Sequence, residues 1–217
     1  MTTMLAADTS AAKETGRLEA FSDGVFSIAI TLLVLDLKVP SLSTGTTAPA
    51  LWTALAKQWP SYFAFLTSFF TILTMWVSHH GIFRLMRRTD SALLFANGFL
   101  LLVVTAVPFP TALVATYLRT PAASAACAIY AGTFVVISVA YALLLLAARH
   151  RDGHLLAPHA SPEINRRLRE CYAIGTPLYL LAALAAPLSP WLSLAICTAL
   201  WVFWSVGRRD RASGFGR

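Results

Sequence analysis

Residues 17–40, RLEAFSDGVFSIAITLLVLDLKVP, decide the fold class of this chain. Within this stretch, residues 26–35 are apolar apart from two hydroxyls. A compact polar cluster comes directly before them: Arg17, Glu19, Ser22 and Asp23. Charged groups at the edge of a bilayer must be paired or hydrated. A helix that served only as an anchor has no need of such a cluster, so the pattern suggests a path for ions.

The composition of the whole chain is that of a polytopic membrane protein. The chain has 217 residues, of which 57% are hydrophobic and only 12% charged, against about 25% charged in a typical soluble domain. Apolar runs long enough to cross a hydrocarbon core of about 30 Å recur along the chain. We therefore expect an all-α membrane protein, because helices satisfy their own backbone hydrogen bonds in lipid.

The apolar runs predict six transmembrane helices. Their approximate ranges are Phe21–Leu37, Ser61–Phe83, Ala92–Tyr117, Ala122–Ala148, Tyr172–Leu188 and Trp191–Val206. Proline lacks the backbone donor that a helix interior needs. Pro108 and Pro110 therefore predict a kink or break in the third helix, and Pro177 predicts one in the fifth.

The basic residues predict that both termini are cytoplasmic. With the N-terminus inside, 14 of the 17 Lys and Arg residues fall in cytoplasmic segments, and only Lys38, Lys57 and Arg119 fall outside. This agrees with the positive-inside rule. Anionic membrane lipid then accounts for the net charge of +7 without a nucleic-acid partner. The first 20 residues are polar and of mixed charge, so no cleavable signal peptide is expected.

The first helix carries a candidate pore face. Ile28, Leu32 and Leu35 share one face at helical spacing, and Thr31 lies beside them. An ordinary packing stripe is the alternative interpretation. If several copies surround an axis, the side chains form apolar rings that can gate by dewetting, and a hydroxyl ring can partly coordinate a cation. Asp36 would add negative charge at the far mouth, or simply pair with Lys38.

The second helix is expected to face the polar cluster of the first. Trp76, His80 and Arg84 share a face at i, i+4 and i+8. The prediction is that His80 and Arg84 face Ser22 and Asp23, which stabilises a carboxylate that is costly to bury alone. The alternative is a histidine pair at the lipid–water boundary. Zinc binding by His79 and His80 is disfavoured because adjacent helix positions diverge by about 100°.

The remaining metal-ligand residue types indicate no metal centre. Cys127, Cys171 and Cys197 lie in or beside different predicted helices without metal-ligand spacing, so they are expected to be packing residues. The segment Arg149–Glu170 contains three histidines, His150, His154 and His159, and is interpreted as a solvated internal loop. A Ser/Thr/Ala-rich external loop is expected at Ser41–Ala50.

Two short motifs give the chain a family resemblance. The pattern R-x-x-x-F-S-D at Arg17, Phe21, Ser22 and Asp23, followed by GVFSIAITLLVLDLKVP, resembles the bacterial members of the transmembrane protein 175 family of potassium channels. The segment WVSHH, residues 76–80, resembles that family's second helix. The strong match covers roughly residues 17–40 and 75–88; elsewhere the agreement is in hydropathy and helix count.

The resemblance implies a homotetramer of six-helix subunits whose first helices line a central pore. It implies that Ile28, Leu32 and Leu35 form the constriction and that Thr31 supplies the hydroxyl linked to selectivity. A further set of residues would hold the pore helix: Arg17, Phe21, Ser22, Asp23, Trp76 and His80. The chain has a single F-S-D motif and no TVGYG-like filter. These features indicate the prokaryotic form in a bacterial plasma membrane.

The resulting prediction is a weakly selective, potassium-permeable channel. It comprises a cytoplasmic tail at 1–16, a six-helix channel domain at 17–207 and a basic cytoplasmic tail at 208–217. Its partners are membrane lipid and K⁺, with other monovalent cations or protons as further permeant ions, and it needs no cofactor, catalytic residue or metal.

Three other functional classes remain as alternatives to a cation channel. A secondary transporter is expected to have a midplane site and often inverted repeats, which the sequence does not show. A proton-conducting channel stays open as the alternative, because Asp23 and His80 can titrate, and a proton-coupled secondary transporter stands beside it as the other alternative. A membrane enzyme would need a nucleophile–base pair, and Ser22, His80 and Asp23 lack any hydrolase sequence context.

Overall fold

The computed structural model describes residues 2–43, 45–158 and 160–206, most of them helical. The α-helices are α1 (Thr2–Leu32), α2 (Ala48–Lys57), α3 (Trp59–Phe83), α4 (Ser91–Thr105), α5 (Pro108–Tyr117), α6 (Ala123–Gly153), α7 (Ser161–Glu170), α8 (Thr176–Ala185) and α9 (Pro190–Val206). A 3₁₀ turn, Leu33–Asp36, extends α1, and a π-helical turn, Cys171–Gly175, joins α7 to α8. The all-α prediction is therefore confirmed.

Four helical stretches are long and apolar enough to cross a bilayer, judged by length and composition. They are Glu14–Asp36, Trp59–Phe83, Ser91–Tyr117 and Ala123–His150. Even the shortest has 23 residues, which at about 1.5 Å per residue exceeds a hydrocarbon core of about 30 Å. The apolar stretch Pro190–Ser205 is shorter. The chain is thus a polytopic helical membrane protein, and the count of six stays a prediction.

The break predicted in the third apolar run is confirmed. α4 ends at Thr105 and α5 begins at Pro108. Between them the amides of Ala106 and Val107 donate to carbonyls only three residues earlier, at 3.2 and 3.1 Å. Pro108 and Pro110 cannot donate the hydrogen bonds that would continue α4, so the chain tightens and restarts as a second helix.

The segment Arg149–Glu170 is not the solvated loop that the sequence analysis expected. α6 runs to Gly153, and Ser161–Glu170 forms α7. This segment is helical because its sequence is amphipathic: Ile164 and Leu168, four residues apart, are buried against the bundle. On the other face, Glu163 pairs with Arg166 and Arg167 at helical spacing. His159 lies outside the described residues.

The fifth predicted transmembrane helix is also irregular close to Pro177, where a kink or break was predicted. The π-helical turn ends at Gly175, and Pro177 lies in the first turn of α8, where a missing amide donor matters least. In the segment Ser41–Ala50, which was predicted to be an external loop, only part is irregular, because α2 begins at Ala48. The N-terminal segment is helical from Thr2 onward, and the predicted C-terminal tail at 208–217 lies outside the described residues.

The core forms around α6, which packs against α4, α5, α8 and α9. A buried hydroxyl cluster ties three helices together: Ser68 Oγ of α3 lies 2.8 Å from Thr111 Oγ1 of α5 and 3.1 Å from Tyr130 Oη of α6. Cys127 and Cys197 are buried free thiols in this apolar interior, as expected. The side chain of Cys171 lies outside the described residues. This packed body fixes one side of α1.

Candidate functional site

α1 has one buried face and one exposed face. Ser22, Phe26, Ala29 and Leu33, spaced by four, three and four residues, are at most 1% exposed. These side chains point into the bundle, where α1 packs against α3 and α4. The spacing is that of a single helical stripe, so the rotation of α1 about its own axis is fixed by its contacts with α3 and α4.

The opposite face of α1 is apolar and uncovered in the single chain. Its large side chains are strongly exposed: Phe21 64%, Ile28 57%, Leu32 41% and Leu35 69%. All three residues predicted to form the constriction lie on this face. Leu35 belongs to the 3₁₀ turn rather than to α1 itself. Because a 3₁₀ helix has about three residues per turn, Leu35 lies almost directly beyond Leu32.

Thr31 lies on the exposed face between these apolar side chains. Its Oγ1 donates a hydrogen bond to the carbonyl of Ile28 at 3.0 Å. A hydroxyl group that donates its hydrogen to a backbone carbonyl still has lone pairs with which it can accept. The oxygen is therefore available to a cation or to water on the exposed side of α1.

A hydrogen bond joins the motif carboxylate to the second long helix. Trp76 Nε1 of α3 donates to Asp23 Oδ1 of α1 at 2.8 Å. His80, one turn further along α3, lies 2.8 Å from Glu19 Oε1 through its Nδ1. Trp76 therefore joins α3 to the motif of α1, and its role in holding the pore helix stays a prediction. The expectation that His80 faces Ser22 and Asp23 is wrong, because His80 contacts Glu19 instead.

Ser22 has a partner that the sequence analysis missed. Asn97 Nδ2 of α4 donates to Ser22 Oγ at 2.9 Å, and Ser22 Oγ donates to the carbonyl of Leu18 at 2.8 Å. Asn97 Oδ1 in turn lies 2.8 Å from Nε2 of His79. Asn97 is the only amide in the otherwise apolar helix SALLFANGFLLLVVT, residues 91–105. A buried polar residue in a membrane helix is a functional candidate, so this signal was available.

His79 belongs to the protein interior, not to the lipid–water boundary. Its side chain is fully buried between two aromatic rings, 5.3 Å from Phe26 and 4.3 Å from Phe83 between ring centroids. Since Asn97 Oδ1 can only accept, His79 must carry its hydrogen on Nε2. Its Nδ1 has no hydrogen-bond partner within the described part of the chain.

The remaining predicted network residues are not joined to this network within one chain. Arg17 and Phe21 are exposed, and Arg17 has no hydrogen bond or ion pair with any described residue. Arg84 does not face Ser22 and Asp23 as expected. It lines a cleft of 340 Å³ nearer the chain's N-terminus, together with Gly16, Glu19 and four neighbours. The reason is that Trp76 meets Asp23 and His80 meets Glu19, so Arg84, one turn further along the chain, lies beyond the depth of Asp23.

The structure shows how the His, Cys, Asp and Glu side chains are placed relative to one another, which decides whether they could bind a metal ion. Among the side chains that the structure describes, no group of three or more His, Cys, Asp and Glu residues could hold a metal ion. His79 and His80 point to different partners, Asn97 and Glu19, as their helical divergence of about 100° predicts.

The all-helical bundle, with helices of membrane-spanning length and a polar network beneath one uncovered face of α1, makes this chain a polytopic membrane protein, and comparison with known proteins narrows that class. Residues 17–108 match the family described as endosomal/lysosomal potassium channel TMEM175. A potassium channel of Chamaesiphon minutus is 48% identical over 193 residues, covering 89% of this chain and 94% of that protein. A potassium channel of Streptomyces collinus is 46% identical over 181 residues, covering 81% and 86% respectively.

A solved structure agrees with these sequence matches. The crystal structure of a lysosomal potassium-selective channel TMEM175 homolog from Chamaesiphon minutus superposes with a TM-score of 0.78 at 46% identity, covering 89% of this chain and 97% of that one. The human endosomal/lysosomal proton channel TMEM175 is 33% identical over 110 residues, which are 22% of its length. The chain belongs to the TMEM175 family, and its members are ion channels, not enzymes.

Proposed function

We propose that this protein is a potassium-permeable, weakly selective cation channel whose pore is lined by α1 in a homotetramer. The observation that carries the proposal is the two-faced character of α1. One face is buried against α3 and α4, while the opposite face exposes Ile28, Leu32 and Leu35. Both bacterial relatives described above are named potassium channels, so K⁺ is the permeant ion proposed here.

The exposed apolar face supports an assembly of several copies. One helix per subunit cannot enclose a pore, and closed rotational symmetry would bring equivalent faces together around one axis. In such a ring Ile28, Leu32 and Leu35 would form successive apolar constrictions, which can gate by dewetting. Thr31 would add one hydroxyl oxygen per subunit between them. Branched aliphatic side chains offer no carbonyl cage, so the K⁺ preference should be weak.

The polar network is proposed to set the pore geometry from outside the pore. The Trp76–Asp23 bond joins α1 to α3, and the Asn97–Ser22 bond joins α1 to α4. Together they fix the rotation of α1 and so the direction in which its exposed face points. Loss of Asp23 should therefore impair assembly or gating more than selectivity. Arg17 and Phe21, exposed in one chain, are proposed to contact a neighbouring subunit.

The proposed setting is a bacterial plasma membrane crossed by six helices, with both termini in the cytoplasm. Most Lys and Arg residues then lie on the cytoplasmic side, in agreement with the positive-inside rule and with attraction to anionic lipid. The α7 helix, with Arg166, Arg167 and Arg169, would lie on this side. No cofactor is proposed.

The test is passive ion flux through the purified protein in liposomes. Under a K⁺ gradient, with Na⁺ and H⁺ exchanged in turn, wild type should pass K⁺ without any co-ion. Leu32→Ala should widen the constriction, raising flux and lowering the K⁺ preference. Leu102→Ala is the matched control, because Leu102 is a 66% exposed leucine on α4 outside the proposed pore face.

Two results would overturn the proposal. If wild type shows no passive K⁺ flux, or flux only with a proton gradient, the protein is a coupled transporter or conducts another ion. If Leu102→Ala changes the flux and Leu32→Ala does not, the pore lies on another helix.

Proton conduction is the second candidate function. The human relative is named a proton channel, and two residues with titratable side chains, Asp23 on α1 and His79 on α3, lie behind the exposed face of α1. The apolar constriction itself has no protonatable side chain. A pH-sensitive dye inside the same liposomes separates the two functions: proton entry without K⁺ would favour the proton channel.

A further inference from the structure

A small cleft lies at the end of the bundle opposite to Asp23, where α3 begins. Its volume is 210 Å³, below the range of about 300–1,000 Å³ typical of drug-sized ligand sites. It forms between the α2–α3 junction and the end of α5. The residues that line it are Lys57, Gln58, Pro60, Ser61, Ala115, Thr116 and Arg119. We call it the α3 cleft.

The charge of the α3 cleft is unusual for its position. Only three Lys or Arg residues are predicted on this side of the membrane, namely Lys38, Lys57 and Arg119. Two of the three come from separate elements and converge here, while none of the described lining residues is acidic. Gln58, Ser61 and Thr116 add an amide and two hydroxyl groups that can donate hydrogen bonds. The side chains of the cleft therefore suit an anion with several acceptor oxygens.

The backbone adds to this positive potential. The 25-residue helix α3 begins at Trp59, so Pro60 and Ser61 lie in its first turn. No side chain caps this helix end, and its first turn contains no acidic residue. The N-terminus of a helix carries a partial positive charge, which acts here as a field only, because Pro60 has no amide hydrogen and the Ser61 amide donates to the Gln58 carbonyl at 2.9 Å. Lys57 is the last residue of α2 and Arg119 lies two residues beyond the end of α5, so both also have a helix C-terminus as a competing partner.

The depth of the cleft identifies the kind of anion. Trp59 stacks on Trp191 at 5.9 Å between ring centroids, and Trp52 and Tyr117 are exposed at the same end of the bundle. Tryptophan and tyrosine gather at the level of lipid head groups. We infer that the α3 cleft binds the phosphate group of a phospholipid head group through Lys57 and Arg119. This inference goes beyond the proposed channel function and does not depend on which ion permeates.

The experiment is a titration of the purified, delipidated full-length protein with short-chain phosphatidylglycerol, followed by native mass spectrometry. The variant is Lys57→Gln with Arg119→Gln. Each basic residue near a membrane surface attracts anionic lipid by about 1 kcal/mol. Because this variant loses two of them, we expect its affinity for phosphatidylglycerol to fall about thirtyfold. Lys38→Gln is the matched control, because Lys38 is the third basic residue on this side but does not line the cleft. Lys57→Arg with Arg119→Lys keeps the charges and should bind like wild type.

Two further ligands separate the possible sources of the phosphate. Short-chain diacylglycerol, which lacks phosphate, should not compete, and inorganic phosphate should compete weakly because it lacks the acyl chains. Equal binding of phosphatidylglycerol by the wild type and the double Gln variant would overturn the site. So would effective competition by diacylglycerol. If inorganic phosphate binds as tightly as the lipid, the cleft takes free phosphate and the lipid assignment fails. If the double Gln variant loses thermal stability without lipid but binds lipid normally, the two cations serve only their helix ends.

Discussion

Asn97 of α4 donates a hydrogen bond from Nδ2 to Ser22 Oγ of α1 at 2.9 Å, and both side chains are at most 1% exposed. The other end of the same amide bonds to His79 of α3 at 2.8 Å. The Asn97 side chain of α4 therefore connects α1, the candidate pore helix, with both α3 and α4. It does so at a depth where water is not available to replace a missing partner.

The first prediction concerns this amide. Asn97→Leu keeps the side-chain size but leaves Ser22 Oγ and His79 Nε2 without their partner. A buried polar group that loses its partner costs about 1–3 kcal/mol, so the detergent-solubilised protein should unfold at a clearly lower temperature. The measurement is a thermal unfolding curve of purified protein.

A double-mutant cycle makes the prediction for Asn97 specific. Ser22→Ala removes one of the two groups that lose a hydrogen bond in Asn97→Leu, so the double variant should lose less than the sum of the single losses. Additive losses would mean that the Ser22–Asn97 bond does not contribute to stability.

The second prediction concerns the bond between α1 and α3. Trp76→Phe keeps an aromatic ring beside His80, with which Trp76 stacks at 6.0 Å, but removes the N–H that donates to Asp23 Oδ1. Hydrogen bonds to charged groups contribute about 1.5–3 kcal/mol; because Asp23 is half-buried, the lower end applies. Both thermal stability and closure of the pore should suffer, which raises leak in liposomes.

The matched control for Trp76 is Trp201→Phe on α9. Trp201 Nε1 is buried and has no hydrogen-bond partner among the described residues. Removing this donor should therefore change stability little. If Trp201→Phe has the same effect as Trp76→Phe, the loss comes from the ring and not from the bond to Asp23.

Much of this arrangement could be predicted from the sequence, for identifiable physical reasons. Long apolar runs fix the membrane class, and proline fixes the break between α4 and α5, because both act locally. Helical period alone shows that Ile28, Leu32 and Leu35 share one face of α1, but it does not show that this face is exposed in one chain. Helical periodicity could not identify the hydrogen-bond partner of Ser22. Asn97 lies 75 residues further along the chain and contacts Ser22 only because α1 packs against α4.

The errors at His80 and α7 have a common origin. Spacing shows which side chains share a face of one helix, but it does not show how far two antiparallel helices slide past each other. A shift of one turn, about 5.4 Å, suffices to exchange Asp23 for Glu19 as the partner of His80. For α7, most residues of the segment are charged or polar, so the sequence was interpreted as a loop. The two apolar residues that pack α7 against the bundle, Ile164 and Leu168, were overlooked.

The third prediction concerns the hydroxyl of Thr31. Thr31→Val keeps the branched shape but removes the oxygen that accepts from water or a cation. A lost hydroxyl contact of roughly 1 kcal/mol corresponds to about a fivefold lower preference for K⁺ over Na⁺. The measurement is the reversal potential under bi-ionic conditions in a planar bilayer.

Thr105→Val is the matched control for Thr31. Thr105 is also exposed, and its hydroxyl donates to the carbonyl three residues earlier, Leu102, at 2.8 Å, as Thr31 does to Ile28. It lies on α4, away from the proposed pore face. An unchanged reversal potential in Thr31→Val would remove the hydroxyl from any role in selectivity.

The fourth prediction concerns pH and the amphipathic helix α7. Partial burial disfavours the charged form of Glu163, but hydrogen bonds from Arg166 and Arg167 outweigh it and lower the pKa of this carboxyl. Arg167 Nε donates at 2.7 Å, and the Arg167 guanidinium lies against Gly81, where an added Cβ would come within 3.3 Å of Nη1. Glu163 therefore orients the guanidinium of Arg167, which packs against α3.

The sign of the pH effect follows from the lowered pKa. A carboxyl whose pKa is lower in the folded protein stabilises the fold above its ordinary pKa. This contribution disappears as the pH falls from the ordinary value through the lowered one. Thermal unfolding of wild type should thus become easier over this acidic range, and Glu163→Gln should remove that part of the pH dependence. Because the pair is partly exposed, the effect should be small and should shrink in high salt. An identical acid profile in wild type and Glu163→Gln would show that this ion pair does not hold α7 in place.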